Sequence, residues 1–326
     1  MRFPHPDFDE ICLFAHEPGI LIKALGTYSN EDEHRLIRAY CDQKLPPVTS
    51  VEALSVMTGF NPGFIWSILT RTSRHYRTFE IPKGNGAPPR VINAPKVGLK
   101  AIQSWLSIQW VKKFVHHPNS FGFTPGRSHV DAAKSHVGAE WVISVDIENF
   151  FPSIQEARVR DALHDLGYQE NSGSLMLSKL LCFNGALTQG SPASPVISNV
   201  VLRKLDEKLT ALAEVTGAVY TRYADDIVFS GQGLPPTLLS EALLTEITDD
   251  GWRVAENKST VSILPERLKV HGLLVHGSSV RLTKGYRNKI RAYRHLLKSG
   301  KISEKDLKSV HGHVAYAAYV EKSAAS

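Results

Sequence analysis

The sequence predicts an α+β fold, an antiparallel sheet backed by helices, and three observations point to it. Trp141-Val142-Ile143-Ser144-Val145-Asp146-Ile147 is a nearly continuous apolar run of strand length with a carboxylate close to its end. Val219, Tyr220, Tyr223, Ile227, Val228 and Phe229 are β-formers on both sides of Ala224-Asp225-Asp226, the pattern of a hairpin with two acids near its turn. Elsewhere apolar residues recur at helical spacing, as in Ile197, Val201, Leu205 and Leu209.

The bulk properties bound what such a chain can be. At 326 residues it exceeds a typical single domain, so one composite domain or two to three subdomains are expected. A hydrophobic share of 42% with 21% charged residues excludes a disordered or fibrous chain. The net charge of +6 and pI near 9.1 favour an anionic partner. Cys12, Cys41 and Cys182 form neither a disulfide framework nor a zinc pattern, which fits a reducing, cytoplasmic setting. Asp7, Asp9 and Glu10 stand where a signal peptide would be basic, and no apolar run approaches the ~20 residues that span a bilayer. No membrane partner is expected.

Residues 1–72 read as a helical extension. Glu31 to Tyr40 has helical character, Pro46-Pro47 prevents its continuation, and Thr49 or Ser50 caps the next helix. Gly59-Phe60-Asn61-Pro62 separates that helix from one through Ile65, Ile68 and Leu69. Two short helices about a glycine turn have the outline of a DNA-reading motif, but small packing helices are far commoner and are the expected role here.

Tyr76 to Ile81 and Arg90-Val91-Ile92-Asn93 read as strands joined by a Gly84-Asn85-Gly86 turn. Lys83 and Arg90 on this hairpin are either ordinary surface charges or a triphosphate clamp, Arg bidentate and Lys a point charge. Lys96 to Val115 follows as an amphipathic helix with Leu99, Ile102, Leu106, Trp110 and Phe114 on one face. After the 141–147 strand and Phe150-Phe151-Pro152, Ser153-Ile154-Gln155-Glu156 matches a capping box and predicts a helix start. Gln189-Gly190-Ser191-Pro192-Ala193-Ser194-Pro195 is a turn-rich loop feeding one long helix that stops at Gly217. A further helix runs through Leu238, Leu239, Leu243 and Ile247.

Residues 281–301 carry Arg281, Lys284, Arg287, Lys289, Arg291, Arg294, Lys298 and Lys301 with no acid among them. At ~100° per residue Arg287, Arg291, Arg294 and Lys298 share a helix face, beside Tyr286, Ile290, Tyr293 and Leu297. A solvated face is the ordinary role of such a stripe. The absence of counter-charges favours a nucleic-acid backbone.

Asp225-Asp226 alone suits a solvated turn as well as a metal site. Asp146 changes the balance, because acids at the ends of two neighbouring strands would converge on one point. That arrangement suits two Mg²⁺ ions, one activating an attacking oxygen and one stabilising a leaving oxygen. In-line phosphoryl transfer needs little beyond such positioning and charge neutralisation, so nucleotidyl transfer is the reaction suggested.

These boxes resemble, in order, those of reverse transcriptases: Val145-Asp146-Ile147-Glu148-Asn149-Phe150-Phe151, Gln189 to Pro195 with Asn199, Tyr223-Ala224-Asp225-Asp226, Gly251 through Lys258, and Val270-His271-Gly272-Leu273. The resemblance covers about residues 73–326 and implies a right-hand polymerase architecture of fingers, palm and helical thumb. It makes Asp146, Asp225 and Asp226 catalytic and places the metal at Asp146, Ile147, Asp225 and Asp226. Lys83, Arg90, Phe151, Gln189, Gly190 and Lys258 become nucleotide-binding residues. Among them Phe151 is the steric gate against a 2′-OH, with a core aromatic as its plain alternative, and Lys258 sits near the departing pyrophosphate. Val270, His271, Gly272 and Leu273 form the primer grip, and Lys284, Arg287, Arg291, Arg294 and Lys298 hold RNA. The expected domains are a helical extension at 1–72, fingers at 73–135, a palm at 136–265 with a fingers insertion at about 156–195, and primer grip plus thumb at 266–326.

Within reverse transcriptases the chain is similar to bacterial retron enzymes. Ala132-Ala133-Lys134-Ser135-His136 follows the retron Asn-Ala-x-x-His box with Ala132 in place of Asn, and Val270-His271-Gly272 follows Val-Thr-Gly with His271 in place of Thr. The resemblance implies copying of a cognate structured non-coding RNA from dNTPs, primed by a guanosine 2′-OH, to give branched msDNA. It also implies anti-phage defence with a separate effector protein. The alternatives are an abortive-infection or CRISPR-associated reverse transcriptase, or a non-catalytic RNA-binding scaffold.

Overall fold

A computed structural model describes residues 17–82, 89–255 and 258–324. The chain forms two compact units, one of Met1–His116 with Asn149–Arg203, the other of His117–Glu148 with Lys204–Ser326. Element labels run in chain order through both. Lys83, the Gly84-Asn85-Gly86 turn and Cys12 lie outside the described residues.

The first unit begins with helices α1 (Pro18–Leu25), α2 (Glu31–Asp42), α3 (Val51–Thr58) and α4 (Pro62–Thr70). Asn30, Ser50 and Asn61 cap the last three of these by accepting from backbone N–H groups of the first turn. Strands β1 (Tyr76–Ile81) and β2 (Arg90–Pro95) pair antiparallel from Tyr76↔Pro95 to Ile81↔Arg90. Helix α5 (Val97–Lys113) buries Leu99, Ile102, Trp105, Leu106 and Trp110.

After the second unit's excursion come α7 (Phe150–Ser153), α8 (Glu156–Leu166), α9 (Ser172–Leu181), the short β4 (Cys182–Phe183) and β5 (Ala186–Leu187), and α10 (Ser194–Val201). Tyr168 ties the unit's core together: Trp110 Nε1 donates to its hydroxyl, which donates to the Pro46 carbonyl.

Two expectations fail here. Ser153 does not cap α8: its Oγ donates to the Phe150 carbonyl inside α7, and α8 starts at Glu156, which accepts from Ser178 Oγ instead. The long helix predicted from the 189–195 loop is interrupted at Leu202, giving α10 and then α11 (Arg203–Thr216).

The second unit is organised on a four-stranded antiparallel sheet in the order β6-β7-β3-β8. These are β6 (Val219–Tyr223), β7 (Asp226–Gly231), β3 (Trp141–Asp146) and β8 (Thr260–Ile263). β3 and β7 run in register from Trp141↔Gly231 to Asp146↔Asp226. α6 (His129–Lys134) packs near β6, and α12 (Leu239–Asp249) buries Leu239, Leu243 and Ile247. A small sheet of β9 (Lys269–Val270), β10 (Leu273–Leu274) and β11 (Arg281–Leu282) leads into α13 (Lys284–Lys298) and α14 (Glu304–Ser323). One core cluster joins these parts, from Val130 and Val142 through Val228, Leu268 and Leu273 to Ile290, Ala317 and Val320. Among the described residues no helix is long and apolar enough to cross a membrane.

Candidate active site

Tyr223 pairs with Asp226, so Ala224 and Asp225 are the two central residues of the β6–β7 hairpin turn. The positive φ belongs to Ala224 (+59°) and not to Asp225, the signature of a type II′ turn, where Gly is the usual first residue. Gly122 explains part of how this turn is held. A Cβ built on it would lie 2.3 Å from the Ala224 backbone nitrogen, so only glycine allows the 119–122 segment to run against the turn.

Strand register brings the three acids to the same end of the sheet. Asp146 and Asp226 are cross-strand partners, and the Ile147 N–H donates to the Asp225 carbonyl at 3.0 Å. Their surroundings differ. Burial pushes the Asp225 carboxyl up, and the charges of Asp146 and Asp226 push it in the same direction against the pull of Lys258. Lys258 Nζ sits 2.6 Å from Asp146 Oδ1. Asp226 is held on both oxygens, by Ser144 Oγ at 3.0 Å and by His271 Nδ1 at 2.9 Å. The triad is therefore one acid held by Ser144 and His271, one paired with Lys258, and Asp225, whose charge burial and its acidic neighbours disfavour.

His271 and Gly272 are the turn between β9 and β10, both with positive φ (+48° and +80°), as a type I′ turn requires. Of the primer-grip candidates, Val270 and Leu273 are buried and His271 reaches Asp226, its ring 5.4 Å from that of Tyr223. His136 is buried at the other end of the same hairpin. Its Nδ1 meets Ser230 Oγ on β7 and its Nε2 meets Thr221 Oγ1 on β6, both at 2.7 Å. Burial drives its pKa down to about 3, so the bridging ring is neutral.

The remaining nucleotide-binding candidates belong to the first unit. Arg90 opens β2 and is exposed. The Asn93 N–H of the same strand donates to the Gln189 carbonyl at 3.0 Å. Gly190 has φ +129°, and a Cβ there would come within 2.9 Å of the Asn93 oxygen, so the Gln189-Gly190 loop is laid against Arg90's strand. Gln103, buried in α5, accepts from Ser191 Oγ and steadies that loop. Phe151 is half-buried in α7 against Phe150.

On α13 the basic stripe divides. Arg294 is paired with Glu321 of α14 at 3.2 Å, a correction to the acid-free reading, because the counter-charge arrives from another helix. Lys284 and Arg287 instead line a cleft of about 440 Å³ with Arg267, Lys269, His276 and Arg281. None of these five Lys and Arg residues has a carboxylate partner among the described residues. Sequence reading passed over Arg267 and Lys269, whose place in one cationic cleft with Arg281, Lys284 and Arg287 emerges only in the fold.

The residues present fit a divalent metal. Asp225 is an oxygen donor that its acidic neighbours leave short of positive charge, Asp146 shares only the half-exposed Lys258, and the Ile147 carbonyl accepts no hydrogen bond among the described residues. These residues form no closed cage of three or more ligands among the described residues. Mg²⁺ does not need one, since it binds through one or two carboxylates with waters and substrate phosphates.

Comparison with known proteins matches residues 81–290 to the family described as reverse transcriptase (RNA-dependent DNA polymerase). The chain is 30% identical over 262 residues to the retron Ec86 reverse transcriptase of Escherichia coli, covering 80% of this chain and 82% of that one. The chain belongs to the retron reverse transcriptase family. The retron Mx162 enzyme of Myxococcus xanthus is 33% identical over 305 residues, covering 82% of this chain and 62% of its own. The retron Mx65 enzyme from the same organism is 35% identical over 240 residues, covering 68% and 56%. As a retron reverse transcriptase the protein is an RNA-directed DNA polymerase with the right-hand polymerase fold, of a family that uses divalent metal ions.

Proposed function

We propose that this retron reverse transcriptase copies part of its cognate structured non-coding RNA into DNA, primed from a guanosine 2′-OH in that RNA, and leaves branched msDNA. The observation that supports the chemistry best is the pairing of Asp146 with Asp226 across β3 and β7, with Asp225 in the adjoining turn. Two Mg²⁺ ions held by Asp146, Asp225, Asp226 and the Ile147 carbonyl would activate the attacking hydroxyl and stabilise the leaving pyrophosphate oxygen. The chain's own groups supply the rest. Lys258, resting on Asp146 with its side chain 57% exposed, is free to move to a phosphate oxygen.

By resemblance, Arg90 and Lys83 grip the dNTP phosphates, Gln189 and Gly190 line the nucleotide, and Phe151 gates the sugar. Val270, His271, Gly272 and Leu273 hold the primer end. Lys284, Arg287, Arg291, Arg294 and Lys298 hold RNA, and the carboxylate-free cleft beside Lys284 and Arg287 extends that surface to Arg267, Lys269 and Arg281. We assign 1–72 to a helical extension, 73–135 to fingers, 136–265 to palm with the insertion near 156–195, and 266–326 to primer grip and thumb. The resemblance alone supports a cytoplasmic role in anti-phage defence beside a separate effector protein.

The deciding experiment is sequencing of nucleic acid purified with the protein and its cognate RNA. DNA joined to a guanosine 2′-oxygen is expected, lost in Asp225→Asn while the RNA is retained. Unbranched DNA extended from a free primer would move the protein to another class of reverse transcriptase.

A further inference from the structure

Arg222 is fully buried in β6, one residue before Tyr223, and all three nitrogens of its guanidinium donate hydrogen bonds. Nε and Nη2 donate to the two oxygens of Asp206 on α11, both at 2.7 Å. Nη2 also donates to Ser120 Oγ at 3.0 Å, and Tyr220 OH donates to Asp206 Oδ1 at 2.6 Å. The remaining arm, Nη1, reaches forward two residues and donates to the Ala224 carbonyl at 3.0 Å.

Stability is a weak reason for such a pair. Desolvating two charges costs several kcal/mol each, and apolar residues of similar volume often do as well or better. An apolar pair has no donor for Ala224. That carbonyl belongs to the central peptide of the turn, whose rotation converts a type II′ turn into type I′ and brings Asp225 to positive φ. Ala224 already occupies φ +59° without being glycine, so the turn needs outside contacts to fix one form. A charge-assisted hydrogen bond to the central carbonyl is such a contact, and the bidentate grip of Asp206 prevents the guanidinium from turning away.

We propose that Arg222, held by Asp206, is a positioning residue that locks the Ala224–Asp225 peptide and so aims the Asp225 carboxylate. The inference rests on Asp225 serving as a metal-binding acid. Groups that orient a metal-binding side chain from behind alter metal affinity or activity by about 10–100-fold when removed.

Arg222→Lys keeps the charge beside Asp206 and loses the arm to Ala224. The expected result is a folded protein with unchanged RNA affinity. Mn²⁺ affinity, read by electron paramagnetic resonance titration, falls at least about tenfold, and kcat for extension falls while KM for dNTP holds. The double variant Asp206→Leu/Arg222→Met removes the charge pair while retaining apolar bulk, and the same loss is expected. Wild-type Mn²⁺ affinity and extension in either folded variant would overturn the proposal. Failure of both to fold would also overturn it, assigning the pair to the fold. Asp225→Asn separates the premise: if it binds Mn²⁺ as tightly as the wild type, the metal-site reading fails rather than the role of Arg222.

Discussion

His271 Nδ1 lies 2.9 Å from Asp226 Oδ2, so the turn between β9 and β10 is fastened to a carboxylate of the four-stranded sheet. The contact restrains an acid and a residue of the proposed primer grip together. His271→Ala is expected to slow primer extension about tenfold, within the range for lost orienting contacts. His271→Asn should retain more activity, because Asn tolerates φ +48° and keeps a donor. Single-turnover extension rates distinguish the three proteins.

His136 gives a pH signature. Its folded pKa of about 3 lies below the ordinary 6.5, so the unfolded chain takes up this proton first. The folded state carries no penalty above pH 6.5 and loses stability as pH falls from there towards 3. Within that window the loss from this group is about 1.4 kcal/mol per pH unit. His136→Gln keeps a donor and an acceptor for Ser230 and Thr221 without titrating. Denaturant unfolding at several pH values should show a correspondingly shallower acid slope in the variant.

Gly122→Ala should be far more damaging than an ordinary loop substitution. The added methyl meets backbone at 2.3 Å, which no side-chain rotation relieves. Either the 119–122 segment or the proposed catalytic turn must move, and displacement near reacting groups costs on the order of 100-fold. Extension assays with a parallel RNA-binding measurement should show lost turnover with RNA affinity kept.

The cationic cleft and the α13 stripe should separate by salt dependence. Lys269→Ala or Arg281→Ala removes a cation with no carboxylate partner and should lower the slope of log K against log salt by about 1 for each lost phosphate contact. Arg294→Ala removes a cation already paired with Glu321, so a smaller change is expected. Filter-binding titrations with the cognate RNA at several salt concentrations measure both.

The acids were legible because strand patterning fixes where a side chain points, and ordered boxes fix which strands matter. Asp146 and Asp226 are far apart in sequence yet are register partners. What stayed hidden depends on contacts no local pattern encodes. Gly122 is required by a backbone about a hundred residues away. Arg222 left a faint trace, since an Arg sharing Tyr220's side of an apolar strand must find an acid, but nothing in the sequence selects Asp206. The Ser153-x-x-Glu156 pattern misled because Ser153 is taken by the turn before it. The acid-free stretch at 281–301 hid Glu321, which only the packing of α13 on α14 brings near.

The β3–β7 register has an evolutionary consequence. Inserting one residue between Trp141 and Asp146 would turn the acid to the opposite face of the sheet together with the apolar residues around it. Inserting two would restore the face but move the carboxylate about 7 Å along the strand, beyond the reach of the ion proposed to be shared with Asp225. Gly231, where a Cβ would strike the Trp141 ring at 2.5 Å, closes the far end against compensating slippage. Length variation among descendants of this chain should therefore be absent from 141–146 and 226–231 and should accumulate in connections such as 232–238.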